Sequence, residues 1–313
     1  MRILITGGAG HLGSHLIRKL GQLDYIEEIV VIDNMSTQRF GSFFDLPFKS
    51  KINLKVIDVK EISTEDSLFN RAFAAMIHLA AMTDASQSLV EPNQIFQNNL
   101  GSTKHVIDLC TKLSIPLIFP SSTSIYYPNP EEVEVNEQSL NLRGSSPYGE
   151  SKISEEFAIN NSTDSLNFCI LRLGTIFGVS SGMRFHTAIN KFCWQTSIGE
   201  EITVWKTALN QVRPYLSIED FSSAIVHIIT NQIFDNQTYN LVTTNVSVLE
   251  ILDEIQNCTK VNPKIKFIDS ELMNSLSYEV SNEKFRLTKF EFEGSLTAEI
   301  AKTINLLRGF CGE

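Results

Sequence analysis

The chain of 313 residues is poor in the features that mark several large protein classes. Its five cysteines, at positions 110, 169, 193, 258 and 311, include no CxxC spacing, which argues against a disulfide framework or a zinc site. No apolar run is long enough to span a bilayer. The apolar residues that open the chain read as a first strand instead of a signal peptide, so the cytoplasm is the expected compartment. Cations are outnumbered, 26 Lys and Arg against 36 Asp and Glu, and the formal net charge of −10 speaks against nucleic acid or an anionic membrane as partner. Low-complexity segments and internal repeats are missing as well. What is there, 42% hydrophobic and 20% charged residues, suits a globular chain that buries one large core or two moderate ones.

The strongest local signal runs from Ile3 to Gly13, ILITGGAGHLG: a buried strand, a glycine-rich turn and a helix N-terminus. Gly7 permits the tight turn, Gly10 lets backbone N–H groups approach a phosphate, and Gly13 allows close packing of helix on strand. A second apolar run ends at Val30-Val31-Ile32-Asp33, about twenty residues beyond Gly13, where an acidic ribose ligand belongs. This is the pattern of a dinucleotide site. Asp33 would accept from ribose hydroxyls and repel a 2′-phosphate, and Asn34-Met35-Ser36-Thr37 supply no cation to neutralise one, so NAD is favoured over NADP.

Further apolar runs follow at Leu54 to Asp58, Ala75 to Leu79, Leu117 to Phe119 and Phe168 to Leu171, separated by helical spacing such as Thr103 to Leu113. Such alternation predicts an α/β fold, a Rossmann-type doubly wound parallel sheet with helices on both faces. Past a glycine and serine loop at Gly178 to Gly182 the regularity fades. Ser247 to Gln256 and Thr297 to Leu307 read as amphipathic helices of a smaller α/β unit. His11, His15 and His105 lie in helical contexts, where their side chains are expected only to pack or face solvent.

Chemistry concentrates in Pro147-Tyr148-Gly149-Glu150-Ser151-Lys152, which opens a helix and puts tyrosine and lysine four apart on one face. A phenol is a poor base at neutral pH, but a neighbouring ammonium and a positive nicotinamide ring both favour phenolate. Hydroxyls at Ser121 to Ser124 follow a buried strand, the end at which open α/β sheets place their sites.

With these motifs on the page the chain resembles the extended short-chain dehydrogenase/reductase family, in its UDP-galactose 4-epimerase-like nucleotide-sugar epimerase/dehydratase branch. The likeness takes in TGGAGHLG, His78-Leu79-Ala80-Ala81, Asn98-Asn99-Leu100, YGESK, Leu171 to Gly178 and Arg213-Pro214-Tyr215 before Ile218-Glu219-Asp220. It implies Tyr148 as proton-transferring residue, Lys152 as its lysine and Ser122 as the hydroxyl partner. NAD would be held by Gly7, Gly10, His11, Leu12, Gly13, Asp33, Asn34, Asp58, Val59, Leu79, Ala80, Ala81, Asn99, Tyr148 and Lys152. Thr83, Ser122, Thr123, Thr175, Arg184, His186 and Arg213 are the expected contacts of a nucleotide-diphosphate sugar. No metal is expected. The resemblance implies a NAD-binding Rossmann domain over 1–176 and a sugar-nucleotide domain over 177–313, with about 212–232 returning to the first.

Departures from the family pattern fall on the sugar side. Tyr127 stands where glycine is usual, Thr175 where asparagine is common, residues 205–210 replace a glycine-rich turn, and Ser217 replaces a histidine. Lys206 and Arg213 are candidate diphosphate clamps, and Trp205 is either a base-stacking face or, the commoner fate, a core aromatic. Dehydratases of this branch carry an Asp-Glu pair where this chain has Thr123 and Ser124, which disfavours dehydration. Epimerisation at C4 needs no further residue. A 4-keto-sugar reductase, a dehydratase and, in another class, a noncatalytic dinucleotide sensor are the alternatives. Relatives pair two helices per subunit, which implies a homodimer through Thr103 to Leu113, with Val106, Ile107, Leu109 and Cys110, and through the Tyr148 helix, with Ile153, Phe157 and Ile159.

Overall fold

The computed structural model describes residues 1–47, 49–83, 92–129, 131–260, 263–268 and 277–308. The first half alternates β1 (Arg2–Thr6), α1 (His11–Gly21), β2 (Glu28–Asp33), β3 (Lys51–Val56), β4 (Ala75–His78), α2 (Pro92–Leu113), β5 (Leu117–Ser122), β6 (Glu134–Val135), α3 (Pro147–Asn160) and β7 (Phe168–Leu173). Then come β8 (Thr175–Phe177), α4 (Ala188–Ser197), β9 (Ile202–Trp205), β10 (Val212–Ser217), α5 (Ile218–Asn231), β11 (Gln237–Leu241), β12 (Thr244–Ser247), α6 (Val248–Thr259), β13 (Ile265–Ile268), β14 (Glu279–Val280), α7 (Glu283–Arg286) and α8 (Leu296–Leu307).

Seven strands form one parallel sheet in the order β11-β7-β5-β4-β1-β2-β3. Strand order reverses between β1 and β4, and the carboxyl ends of those two strands open the crevice in which doubly wound sheets bind ligands. Parallel strands covered on both faces need apolar side chains throughout, which is why β1 reads RILIT and is buried at every position. One face carries Leu16, Ile17 and Leu20 of α1 with Phe221, Ile225 and Ile228 of α5; the other carries Val106, Leu109 and Cys110 of α2 with Ile159 of α3. A third cluster, including Phe192, Ile251 and Ile304, unites α4, α6 and α8.

Two sequence expectations shift. The third strand covers Lys51–Val56 and stops short of Asp58, because β3 is an edge strand whose Leu54 and Val56 face solvent and whose apolar pattern is weak. Asp58 instead caps a short turn, accepting from the backbone N–H of Lys60 at 3.0 Å. The helix read as Thr103 to Leu113 is the second half of α2, whose polar first turns, Pro92 to Gly101, hide its helical period. No helix among the described residues is long and apolar enough to cross a membrane.

Candidate active site

A cavity of about 1030 Å³ opens over the carboxyl ends of β1, β4 and β5. On one side lies the glycine-rich turn. Gly7 has φ +68°, donates its N–H to Ile32 O at 2.7 Å, and a Cβ there would come within 2.5 Å of Ala80 N, so no other residue fits without displacing the start of the β4 loop. Gly10 is the N-cap of α1, supplies no side chain to cap it, and the first turn holds no acid, which leaves the helix start chemically suited to an anion. Asp33 closes this wall. Its Oδ2 accepts from Ala9 N at 2.9 Å and its Oδ1 from Met35 N at 2.8 Å, so the carboxylate is pinned at the end of β2.

Of the residues expected to hold a cofactor, Gly7, Gly10, His11, Leu12, Gly13, Asp33, Asn34, Asp58, Val59, Leu79, Ala80, Ala81, Tyr148 and Lys152 all line the cavity. These groups fit a dinucleotide. Asn99 does not line it: buried on α2, it accepts from Met82 N at 2.8 Å and donates to Met82 O at 3.0 Å, fixing the segment after Ala81 from behind.

Deeper in, Ser146 caps α3 through a 3.2 Å bond from Gly149 N with Pro147 following it, which sets the helix start and aims Tyr148 and Lys152 inward. Ser122 is in hydrogen-bonding reach of the Tyr148 phenol, and its Oγ also meets Ser124 Oγ at 2.9 Å. Lys152 Nζ lies 4.5 Å from the Phe119 ring centre and 5.9 Å from that of Tyr148. Burial raises the phenol above its ordinary range and outweighs the opposing pull of Lys152, Ser122 and Arg184.

The far wall is assembled from loops, the start of β8 and the end of β9. Thr83, Thr175, Arg184 and His186 line it, and Arg184 bonds Thr83 Oγ1. Thr123 and Arg213 do not. Thr123 is buried and donates to Leu173 O at 3.1 Å, while Arg213 on β10 lies 5.5 Å over the Tyr278 ring and bonds Gln211. Lys206 is likewise outside the lining, but Trp205 is part of it and 43% exposed, so the aromatic at the end of β9 is no core residue.

Two features escaped the sequence. His11, expected to pack or to face solvent, packs across the chain: its Nδ1 meets Ser180 Oγ at 2.7 Å, and burial lowers its pKa to about 3. Arg39, two residues beyond the window searched for a cation, lines the cavity beside Asp33 and donates to Gly182 O at 2.9 Å. Gly182 N in turn donates to Ser14 Oγ at 2.9 Å, and a Cβ on Gly182 would sit 2.5 Å from Gly10 O, so the loop of residues 180–182 rests directly on the glycine-rich turn. Its glycine was the available clue.

The chain is similar to known proteins in sequence and in fold. UDP-glucose 4-epimerase of Caenorhabditis elegans is 32% identical over 170 residues, covering 49% of this chain and 46% of that protein. The chain thus spans about half the length of that relative. A probable UDP-arabinose 4-epimerase of Oryza sativa subsp. japonica is 26% identical over 294 residues, 85% of this chain and 71% of its own. Among solved structures, UDP-glucose 4-epimerase of Thermotoga maritima with UDP-glucose superposes at a TM-score of 0.87, 20% identity and 99% coverage of both chains. UDP-glucuronic acid 4-epimerase of Bacillus cereus, in complex with UDP-glucuronic acid and NAD, gives 0.86 at 21% identity and 99% coverage of both; at such identities the likeness is one of fold. Residues 3–241 match the NAD dependent epimerase/dehydratase family, and the chain belongs to that family.

Proposed function

We propose that the protein epimerises a nucleotide-diphosphate sugar at C4 with NAD as its resident cofactor. One observation carries the reading: the glycine turn with its pinned Asp33 and the Ser122, Tyr148 and Lys152 group open into a single cavity. Gly7, Gly10, Gly13 and Asp33 would hold NAD, which when bound would supply the hydride acceptor and donor for oxidation at C4 and reduction on the opposite face. Tyr148 takes the 4-hydroxyl proton and gives it back, Ser122 holds the same oxygen, and Lys152 stabilises phenolate and holds the nicotinamide ribose. Asp33 orients the adenosine ribose, while Arg184, His186 and Thr175 contact the sugar and its diphosphate and Trp205 stacks on the base. Thr123 is buried with its hydroxyl on Leu173 O and Ser124 is a hydroxyl, which leaves no acid and base pair at these two positions for dehydration. The division proposed near residue 176 returns about 212–232 to the cofactor half: α5 within that stretch packs on the seven-stranded sheet, while β11 of the same sheet lies beyond it and β10 pairs with β8 and β12.

We also propose a homodimer through α2 and α3. Val106, Ile107, Leu109, Cys110 and Ile159 are already buried within the chain, Ile153 is half-buried, and Phe157, 69% exposed, is the most exposed of the three on α3.

The test is incubation with UDP-, GDP-, CDP- and dTDP-sugars in D₂O, with products read by NMR. A 4-epimer is expected without net NADH change and without deuterium on carbon. Stoichiometric consumption of reduced cofactor would assign a reductase, and deuterium at C5 with loss of the C6 hydroxyl a dehydratase.

A further inference from the structure

Glu155 is a buried carboxylate next to the proposed base for which epimerisation has no chemical step. It lies three residues beyond Lys152 on α3, and its Oε2 accepts from Lys152 Nζ at 3.2 Å and from Thr103 Oγ1 of α2 at 2.8 Å. Its Oε1 is buried with no hydrogen-bond partner among the described residues. Burying a carboxylate is costly unless a cation compensates it, and here the compensating cation is the one on which Tyr148 depends. The other groups facing the pair leave that competition intact. Glu156, also on α3, is taken by Arg172 of β7 at 2.7 Å; Asn99 and Thr103 of α2, Ser122 and Phe119 of β5 are uncharged; Arg184 adds positive charge from the far wall. His78 of β4 is kept neutral by burial, its pKa lowered to about 3.

We propose, building on the reading of Tyr148 as the base, that Glu155 is a positioning residue which anchors Lys152 and offsets its charge, so that Tyr148 gives up its proton only when NAD⁺ brings a second positive charge. The proton passes to solvent, and no other bond changes. The geometry agrees with the electrostatics of both partners. Burial alone would lower the Lys152 pKa, yet Glu155, foremost among partners that include Tyr148 and Glu156, reverses this and holds it above its ordinary value. For Tyr148, Glu155 adds to the upward push of burial.

The experiment is a difference-absorbance titration of the Tyr148 phenolate, each protein measured against the same protein carrying Tyr148→Phe, with and without NAD⁺. Glu155→Gln keeps the acceptor for Thr103 and removes the charge; its phenol midpoint is expected to fall by about one pH unit or more, with a smaller response to NAD⁺. A midpoint that stays in place in folded Glu155→Gln overturns the proposal. Should that variant not fold, the unaltered protein decides: a midpoint above neutrality that drops on adding NAD⁺ supports the proposal, and one already below neutrality without NAD⁺ overturns it. The readout needs no sugar. A moved midpoint without epimerase turnover would therefore refute the function and leave the role of Glu155, and an unmoved midpoint with turnover would do the reverse.

Discussion

The cavity has two walls of different construction. Along β1, α1 and β2 the cavity wall is built on the backbone of the glycine-rich turn, set by Gly7 and the uncapped start of α1, with the side chains of His11, Asp33 and Arg39 around it and Asp33 itself tied to Ala9 and Met35. The wall from Thr175 to Trp205 is made of side chains, Arg184, His186 and Trp205, carried on loops and on the end of β9. A backbone wall suits a ligand part that never varies, a pyrophosphate and ribose, because amides cannot be exchanged by mutation. A side-chain wall suits the part that does vary. Tyr148 stands between them, and the loop of residues 180–182 ties the two together through Ser14, Arg39 and His11.

The largest effect is expected where the walls meet. Tyr148→Phe should cut turnover by roughly a hundredfold or more, as loss of general acid-base catalysis does, while NAD binding and thermal stability stay unchanged. Near-normal turnover of a UDP-sugar would remove Tyr148 from the chemistry. A parallel loss of NAD would show that the phenol belongs to the backbone wall instead.

A paired substitution tests the division itself. Trp205→Ala should raise KM for the sugar nucleotide about tenfold, the loss of one stacked base, with the NAD dissociation constant unmoved. Asp33→Ala should do the opposite, weakening NAD about tenfold and narrowing its advantage over NADP, the more so because Arg39 remains beside the vacated position to meet a 2′-phosphate. If each substitution moves both constants, the walls are not separate recognition units.

This difference in construction also explains what the sequence revealed. The glycine turn, Asp33 and the Tyr148 and Lys152 pair are local patterns, since a strand, a turn or one face of a helix places all their members within a few residues, and each lies in the cavity. Asn99 and Thr123 belong to recognisable motifs as well, yet motif membership does not say which way a side chain turns, and both are spent on the backbone of Met82 and Leu173. His11 meets Ser180 across 169 positions and Glu155 accepts from Thr103 across 52, contacts no local period encodes. Trp205 reads as core because most tryptophans are; only the end of β9 in space brings it to the cavity.

The smallest expected effect concerns pH and two histidines, His78 buried and His11 half-buried at the cavity. His78, whose Nδ1 meets Thr6 Oγ1 at 2.7 Å within the sheet, and His11, which joins the walls, both have pKa values lowered by burial to about 3 from 6.5. The Nε2 atom of each is buried without a partner among the described residues, and Lys152 opposes a charge on His78. The unfolded chain protonates both below about pH 6.5, whereas the folded chain does not until much lower. Their contribution to stability is therefore complete above pH 6.5 and is lost as the pH falls, by at most about 1.4 kcal/mol per pH unit for each histidine. Urea unfolding between pH 6 and pH 5 should show this slope, and His78→Asn should reduce it by one proton's worth because Asn cannot take the charge. His11→Asn should reduce it equally if the junction of the walls melts with the sheet; a slope that answers to His78 alone would mean that the loop of residues 180–182 opens before the fold does and admits water to His11 in the native state.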